Sequence, residues 1–218
     1  MIASLRHALV IVCVLFTASA ACASDAVFQK PATPAELKRL AAGATGPLAS
    51  ARVVRGDFSQ QRFLRELPRP LVSSGQFLYA RDVGIEWRTA QPFESQFVLT
   101  PAGIAQRTAG GSELKLEADQ QPALRVVARV FFALFALDLP ALANDFETFG
   151  ERRGNQWVIG LKPRAAALAN VFREAVITGS NTVESVVLTD ALGDRSVIAL
   201  QGVRYEAAAL TPTERARF

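Results

Sequence analysis

The chain has 218 residues, 50% of them apolar, with 24 basic and 20 acidic side chains and a formal charge of +4. Its cations are scattered, whereas nucleic-acid binding wants a basic stripe, so no nucleic-acid partner is expected. The only histidine, His7, and both cysteines, Cys13 and Cys22, lie in the first 23 residues. Beyond them there is no His/Cys metal site, no disulfide and no Ser-His-Asp or Cys-His nucleophile.

Those first residues read as a secretory signal over 1–23. Arg6 and His7 form a basic start, Ala8 to Phe16 an apolar stretch, and Ala21-Cys22-Ala23 a small-residue cleavage site before Ser24 and Asp25. The apolar stretch is too short to remain in a bilayer. The expectation is an exported, soluble, periplasmic protein with a single domain over 24–218. A cut after Ala20 is an alternative. So is a lipoprotein anchored at Cys22, because Ser19-Ala20-Ala21-Cys22 faintly matches a lipobox, with Ser19 where Leu is usual.

Thr33-Pro34-Ala35-Glu36 is a capping box with proline at the first helical position. Leu37, Leu40, Ala41 and Ala44 follow at helical spacing. One amphipathic helix is expected over about 34–44, stopped by Gly43 and Gly46-Pro47. From Arg52 the period changes to two. Strand-like runs follow at about 52–62, 75–81, 84–90, 94–100, 103–108 and 112–117, parted by Gly, Pro or Asp. Strands this close together need tight hairpins and hence an antiparallel sheet.

The pattern then breaks at Gln120-Gln121-Pro122. Val126 to Leu137 reads VVARVFFALFAL, with Arg129 as its only charge. The run is too short to span a bilayer and too apolar on every face to lie on a wet surface. A helix over about 123–137 must therefore bury itself against the sheet. It is either permanent core or the cover of an apolar cavity. Pro140 starts a second short helical turn. Strands resume near Phe146, and Arg153-Gly154-Asn155-Gln156 forms a hairpin turn into Trp157. A short Ala-rich helix is expected over 163–170, then strands at about 171–178, 183–189 and 195–205. The expected fold is mainly β with helices: one meander of about eleven strands with a helical insertion.

Several short motifs occur in order. They are Phe58-Ser59-Gln60, Gly75 with Phe77, Trp87, Gln91-Pro92-Phe93-Glu94, and Trp157 through Pro163. In order and spacing, together with the helical insertion after the sixth strand, the chain resembles the LolA-like superfamily of outer-membrane lipoprotein carriers. The resemblance implies an incomplete, half-open antiparallel barrel whose mouth is capped by a helical lid, with an apolar concavity for acyl chains. It implies no cofactor.

Strand alternation is compatible with such a concavity. Phe77 and Tyr79 would share its face with Ile85, Trp87, Phe97 and Leu99, and Phe58 joins them from the first strand. From the insertion, Val127, Phe131, Leu134 and Phe135 are the candidates. The alternative for each is permanent core packing. Arg81 matches a family arginine that latches the lid by bonding its backbone. Here Asp82 follows where the family has Pro, and Asp82 is a competing partner. Thr100 to Gly111 lacks the family's Asp-Gly hairpin and its aromatic pair, and the family's longer C-terminal extension is reduced. A divergent member is therefore expected.

The leading functional expectation is a monomeric periplasmic carrier. It would take an acylated lipoprotein or other lipid from an inner-membrane donor to an outer-membrane acceptor. The alternatives are an envelope sensor or scaffold of the same fold, and a cofactor-free enzyme using Glu86 or Glu94 as base. Nothing in the spacing marks a catalytic residue.

Overall fold

The computed structural model describes residues 26–117, 128–129 and 132–218, apart from the side chain of Ala167. The signal-peptide reading, the 123–127 part of the expected lid, and the candidates Val127 and Phe131 lie outside the described residues.

Eleven strands form one antiparallel sheet: β1 (Val53–Phe63), β2 (Leu71–Ala80), β3 (Gly84–Gln91), β4 (Ser95–Thr100), β5 (Gly103–Thr108), β6 (Glu113–Glu117), β7 (Phe146–Arg153), β8 (Gln156–Pro163), β9 (Phe172–Gly179), β10 (Val183–Asp190) and β11 (Arg195–Glu206). Their order is β6-β5-β4-β3-β2-β1-β11-β10-β9-β8-β7. Each consecutive pair is a hairpin except where the insertion divides β6 from β7 and where β11 returns beside β1. The sheet is therefore two meanders joined by the first and last strands, and it stays open between β6 and β7. The β7 edge is partly covered: Ala32 donates to the Thr148 carbonyl at 2.9 Å and Gly150 to the Lys30 carbonyl at 2.9 Å. This is the mainly β, half-open architecture expected, with strand bounds close to those read from period two.

The helices are α1 (Pro34–Leu40), α2 (Ala42–Ser50), α3 (Leu139–Asp145), α4 (Ala166–Ala169) and α5 (Pro212–Arg215). Among the described residues, no helix is long and apolar enough to cross a membrane. The capping box at α1 forms as expected, with the Glu36 carboxylate accepting from Thr33 N at 2.7 Å. The single helix expected over 34–44 is instead two. The chain leaves helical geometry at Ala41 and continues through Gly43, Gly46 and Pro47 to Ser50. Gly and Pro are poor helix formers, but Ala44 and Leu48 are buried in the main core. Packing outweighs local propensity here, as it commonly does for short helices.

The main core fills the concave side, between the sheet, α1–α3 and the insertion. Leu37 and Leu40 of α1 pack onto Gly150 of β7, where a Cβ would lie 2.5 Å from Leu37 Cδ2. The convex side carries two smaller apolar clusters, one covered by residues 27–28 and the other by the C-terminal tail. Val27 and Phe28 cover Phe149, Val158 and Val176. Leu210 and Phe218 pack over Val53, Leu78 and Ala80. This C-terminal tail is also held by charge. Arg55 bridges Glu206 at 2.9 Å and Glu214 at 2.6 Å, and Arg217 bonds the buried Glu86 at 3.0 Å.

Candidate functional site

An apolar cavity of about 290 Å³ lies on the concave face. Its first wall comes from cross-strand rungs on β1–β4. One rung is Val54–Tyr79–Ile85–Leu99 and the next is Gly56–Phe77–Trp87–Phe97. The second rung starts with a glycine for a steric reason. A Cβ at position 56 would sit 2.9 Å from the Phe77 ring and 2.9 Å from the Gln201 carbonyl. The missing side chain lets Phe77 lie across β1. Phe58 is one rung further along, opposite Gly75, and stacks on Trp87 with centroids 3.9 Å apart.

The second wall comes from β9–β11: Ile177, Val183, Val186, Leu188, Ile198, Leu200, Val203 and Tyr205. Strict alternation would not put all of these on one face, because Leu200 and Val203 are three residues apart. The pairing of β1 with β11 shifts between Arg55 and Asp57, beside Gly202 at φ +57. This bulge resets the phase of β11, and glycine adopts the left-handed conformation freely. A second shift between Val183 and Ser185 does the same for β10.

The roof is Leu48 of α2 with Leu134 and Phe135 of the insertion. Residues 132–136 are helical. The Phe135 ring lies 6.0 Å from both Phe77 and Tyr79, and Phe132 lies 6.5 Å from Tyr79. Phe132, Leu134 and Phe135 are only half-buried, whereas Ala128, Ala133 and Leu137 are in the core. The insertion thus reaches the cavity through Leu134 and Phe135, while Ala128, Ala133 and Leu137 are buried in the main core. Leu137, at φ +46, ends the helical stretch in a conformation costly for a branched side chain. Asp138 then caps α3, accepting from Ala141 N at 3.1 Å, and Arg129 is tied to Asp145 of α3 at 2.7 Å.

Of the residues singled out in the sequence, Phe77, Ile85, Trp87, Phe97, Leu134 and Phe135 line the cavity. Tyr79 and Leu99 belong to the adjoining packed core, and Phe58 is buried behind Trp87. The β9–β11 wall was missed. Its residues are aliphatic in both phases, and the bulges that align them leave only Gly202 as a trace.

Arg81 lies in the β2–β3 turn and donates to three carbonyls: Ala51 at 3.0 Å, Leu48 at 2.8 Å and Ala49 at 3.2 Å. Its partner is the C-terminal end of α2, neither Asp82 nor the described part of the insertion. A cation there satisfies orphan carbonyls and complements the helix dipole. Arg81 therefore pins the helix that places Leu48 in the roof.

The cavity is chemically bare. Among the described residues that line it, those with polar side-chain groups are Gln60, Trp87 and Tyr205. Burial pushes the phenols of Tyr205 and Tyr79 up, so both stay protonated at neutral pH. The two carboxylates considered as bases are elsewhere. Glu86 points to the convex side, bonded to Gln96 at 2.6 Å and Arg217 at 3.0 Å. Glu94 is exposed in the β3–β4 connection. Among the described residues, no cluster of His, Cys, Asp or Glu could hold a metal ion.

No protein-family model matches the sequence, and no curated protein is similar to it. Solved structures do resemble it in architecture. A LolA superfamily protein from Nitrosomonas europaea gives a TM-score of 0.44 at 9% identity, covering 81% of this chain and 95% of that one. A putative outer membrane lipoprotein-sorting protein domain from Vibrio parahaemolyticus gives 0.43 at 6% identity, over 85% and 96%. A chain of the Pseudomonas aeruginosa MucA/MucB complex gives 0.43 at 13% identity, over 82% of this chain and 58% of that one. LolA superfamily proteins are thus among the structures this chain is similar to.

Proposed function

We propose that the protein is a periplasmic carrier that holds an acyl chain in the concave cavity and shields it from water. The observation that carries this reading is the cavity lining. Among the described residues it is almost entirely aliphatic and aromatic, and two of its three roof residues, Leu134 and Phe135, are only half-buried. Such a site offers burial without chemistry. Each methylene removed from water contributes ~0.8 kcal/mol. Ten methylenes would supply roughly 8 kcal/mol before ordering costs. That is enough to retain a lipid and still release it to a tighter site.

The cargo is an acylated lipoprotein or a related lipid travelling from the inner to the outer membrane. This follows the sequence resemblance to LolA-like carriers. Transfer needs no covalent step, only displacement of Leu134 and Phe135 from the mouth. The test is organic extraction and mass spectrometry of the protein purified from its native periplasm. Near-stoichiometric acyl-bearing lipid is the expected result. Absence of lipid, together with a stable complex with a membrane protein, would replace the carrier by an envelope sensor or scaffold.

A further inference from the structure

The antiparallel order puts the β1–β2, β3–β4 and β10–β11 connections and the α4–β9 connection at the same end of the sheet. The pairs Arg62–Leu71, Ser74–Gln91, Thr189–Arg195 and Asp190–Phe172 close that end. The strongly exposed large apolar side chains collect there. Phe93 at the β3–β4 tip is 81% exposed and Leu192 at the β10–β11 tip is 68% exposed. Leu67 on the β1–β2 connection, Leu71 and Val72 at the start of β2 and Val171 before β9 are also exposed at this end. Leu114, at the start of the edge strand β6, is the remaining one among the described residues. The opposite end, with the β2–β3, β4–β5, β7–β8 and β9–β10 turns, carries none among the described residues.

Three of these connections are tied together. Arg65 N donates to Asp194 Oδ1 at 3.1 Å, joining β1–β2 to β10–β11. Ala191 N donates to the Val171 carbonyl at 3.2 Å, joining β10–β11 to the α4–β9 connection. Pro68 and Pro70 stiffen the stretch that presents Leu67. Arginines are interleaved with the apolar tips. Arg62 near the end of β1 and Arg69 on the connection that follows are exposed. Arg65 is 3.8 Å from Asp194, and Arg195 lies over the Phe63 ring at 4.8 Å. The aspartates are turned inward: Asp190 accepts from Leu192 N and Asp194 N, each at 2.9 Å. Glu66, Glu94 and Glu113 are the exposed carboxylates among them, and Glu113 is paired with Arg107 at 3.0 Å and Lys115 at 3.3 Å.

We infer that this rim docks on an anionic lipid membrane. Single apolar tips on several separate connections make no groove for a protein segment. They do fit a plane that each tip enters shallowly while the arginines meet lipid phosphates. The inference stands apart from the cavity, since none of the tip residues lines it.

The test is co-sedimentation of the exported protein with phosphatidylcholine vesicles, with and without about one-third phosphatidylglycerol. Two rim variants are compared with the wild type, Phe93→Ser/Leu192→Ser and Arg62→Glu/Arg69→Glu. All these side chains are exposed, so thermal melts should match the wild type. All three proteins share one N-terminus, so differences report the rim. Wild type should prefer the anionic vesicles and weaken with salt. Each double variant should bind on the order of tenfold more weakly, while fatty-acid binding in the cavity is unchanged. Wild type that ignores anionic vesicles overturns the inference, as do rim variants that bind as well as wild type. So does the finding, by sedimentation velocity, that the rim variants only break a dimer.

Discussion

Arg81 holds one helix end with three hydrogen bonds, and its removal is a sharp test of what positions the roof. Arg81→Ala leaves the last carbonyls of α2 without their donor. We expect a loss of about 1–3 kcal/mol in denaturant unfolding and weaker acyl-chain binding, because Leu48 moves with the helix. Arg81→Lys should recover only part of this, since a point ammonium lacks the planar fork. An unchanged melting curve for Arg81→Ala would contradict the assignment. Gly56 is the second such residue. In Gly56→Ala the new methyl meets both the Phe77 ring and the Gln201 backbone. It should cost about 1–3 kcal/mol, with Phe77 displaced toward the cavity. An unaltered melt and unaltered probe affinity would show that the space is not needed. At this scale, the sequence singled out Arg81 as a donor to the lid backbone, whereas its hydrogen bonds go to the end of α2. The capping carbonyls belong to a helix extension that Gly43, Gly46 and Pro47 argue against locally.

At the scale of elements, the C-terminal tail has a pH dependence built into it. Arg55, followed by the N–H and hydroxyl of Thr211, holds the Glu214 carboxyl down to about 2. A carboxylate depressed in the folded state contributes fully above its unfolded value and is lost as pH falls toward its folded one. The tail should therefore stay docked above about pH 4.5 and loosen between there and about pH 2. Glu214→Gln should show weak docking throughout, with that acid step removed. Hydrogen exchange over residues 207–218 reads both. A tail equally protected at pH 2 and pH 6 would contradict the account.

The strands themselves were readable because period-two alternation and turn residues coincide in nearly every hairpin. The cavity was readable on β2–β4, where aromatic residues mark one phase. It was not readable on β9–β11. Val186, Val187 and Leu188 are apolar in both phases, and the bulge at Gly202 moves Val203 and Tyr205 into line with Leu200. A phase reset of this kind depends on which strand becomes the neighbour, a long-range fact that local pattern does not contain.

For the whole molecule, the arrangement is a sheet with its two faces put to different uses. The convex face is covered by Val27 and Phe28 at one side and by Leu210 and Phe218 of the C-terminal tail at the other. The concave face is closed incompletely, by α2 and the insertion, leaving the cavity. Phe135→Asp separates a cover from a core. A carboxylate at the mouth should abolish acyl-chain binding and leave the sheet folded by circular dichroism. If Phe135 were permanent core, the same change would unfold the domain, because an unpaired buried charge costs several kcal/mol against a stability of about 5–15.

The most direct measurement fills the cavity instead of opening it. Val186 projects into it from β10, so Val186→Phe would occupy the space an acyl chain needs. Titration of a fluorescent fatty acid against wild type and Val186→Phe, with thermal unfolding of both, decides the central claim. The account predicts saturable binding by wild type and at least a tenfold loss in the variant, about 1.4 kcal/mol, with a melting temperature equal or higher. Equal binding by the two proteins, or none by wild type, would contradict it.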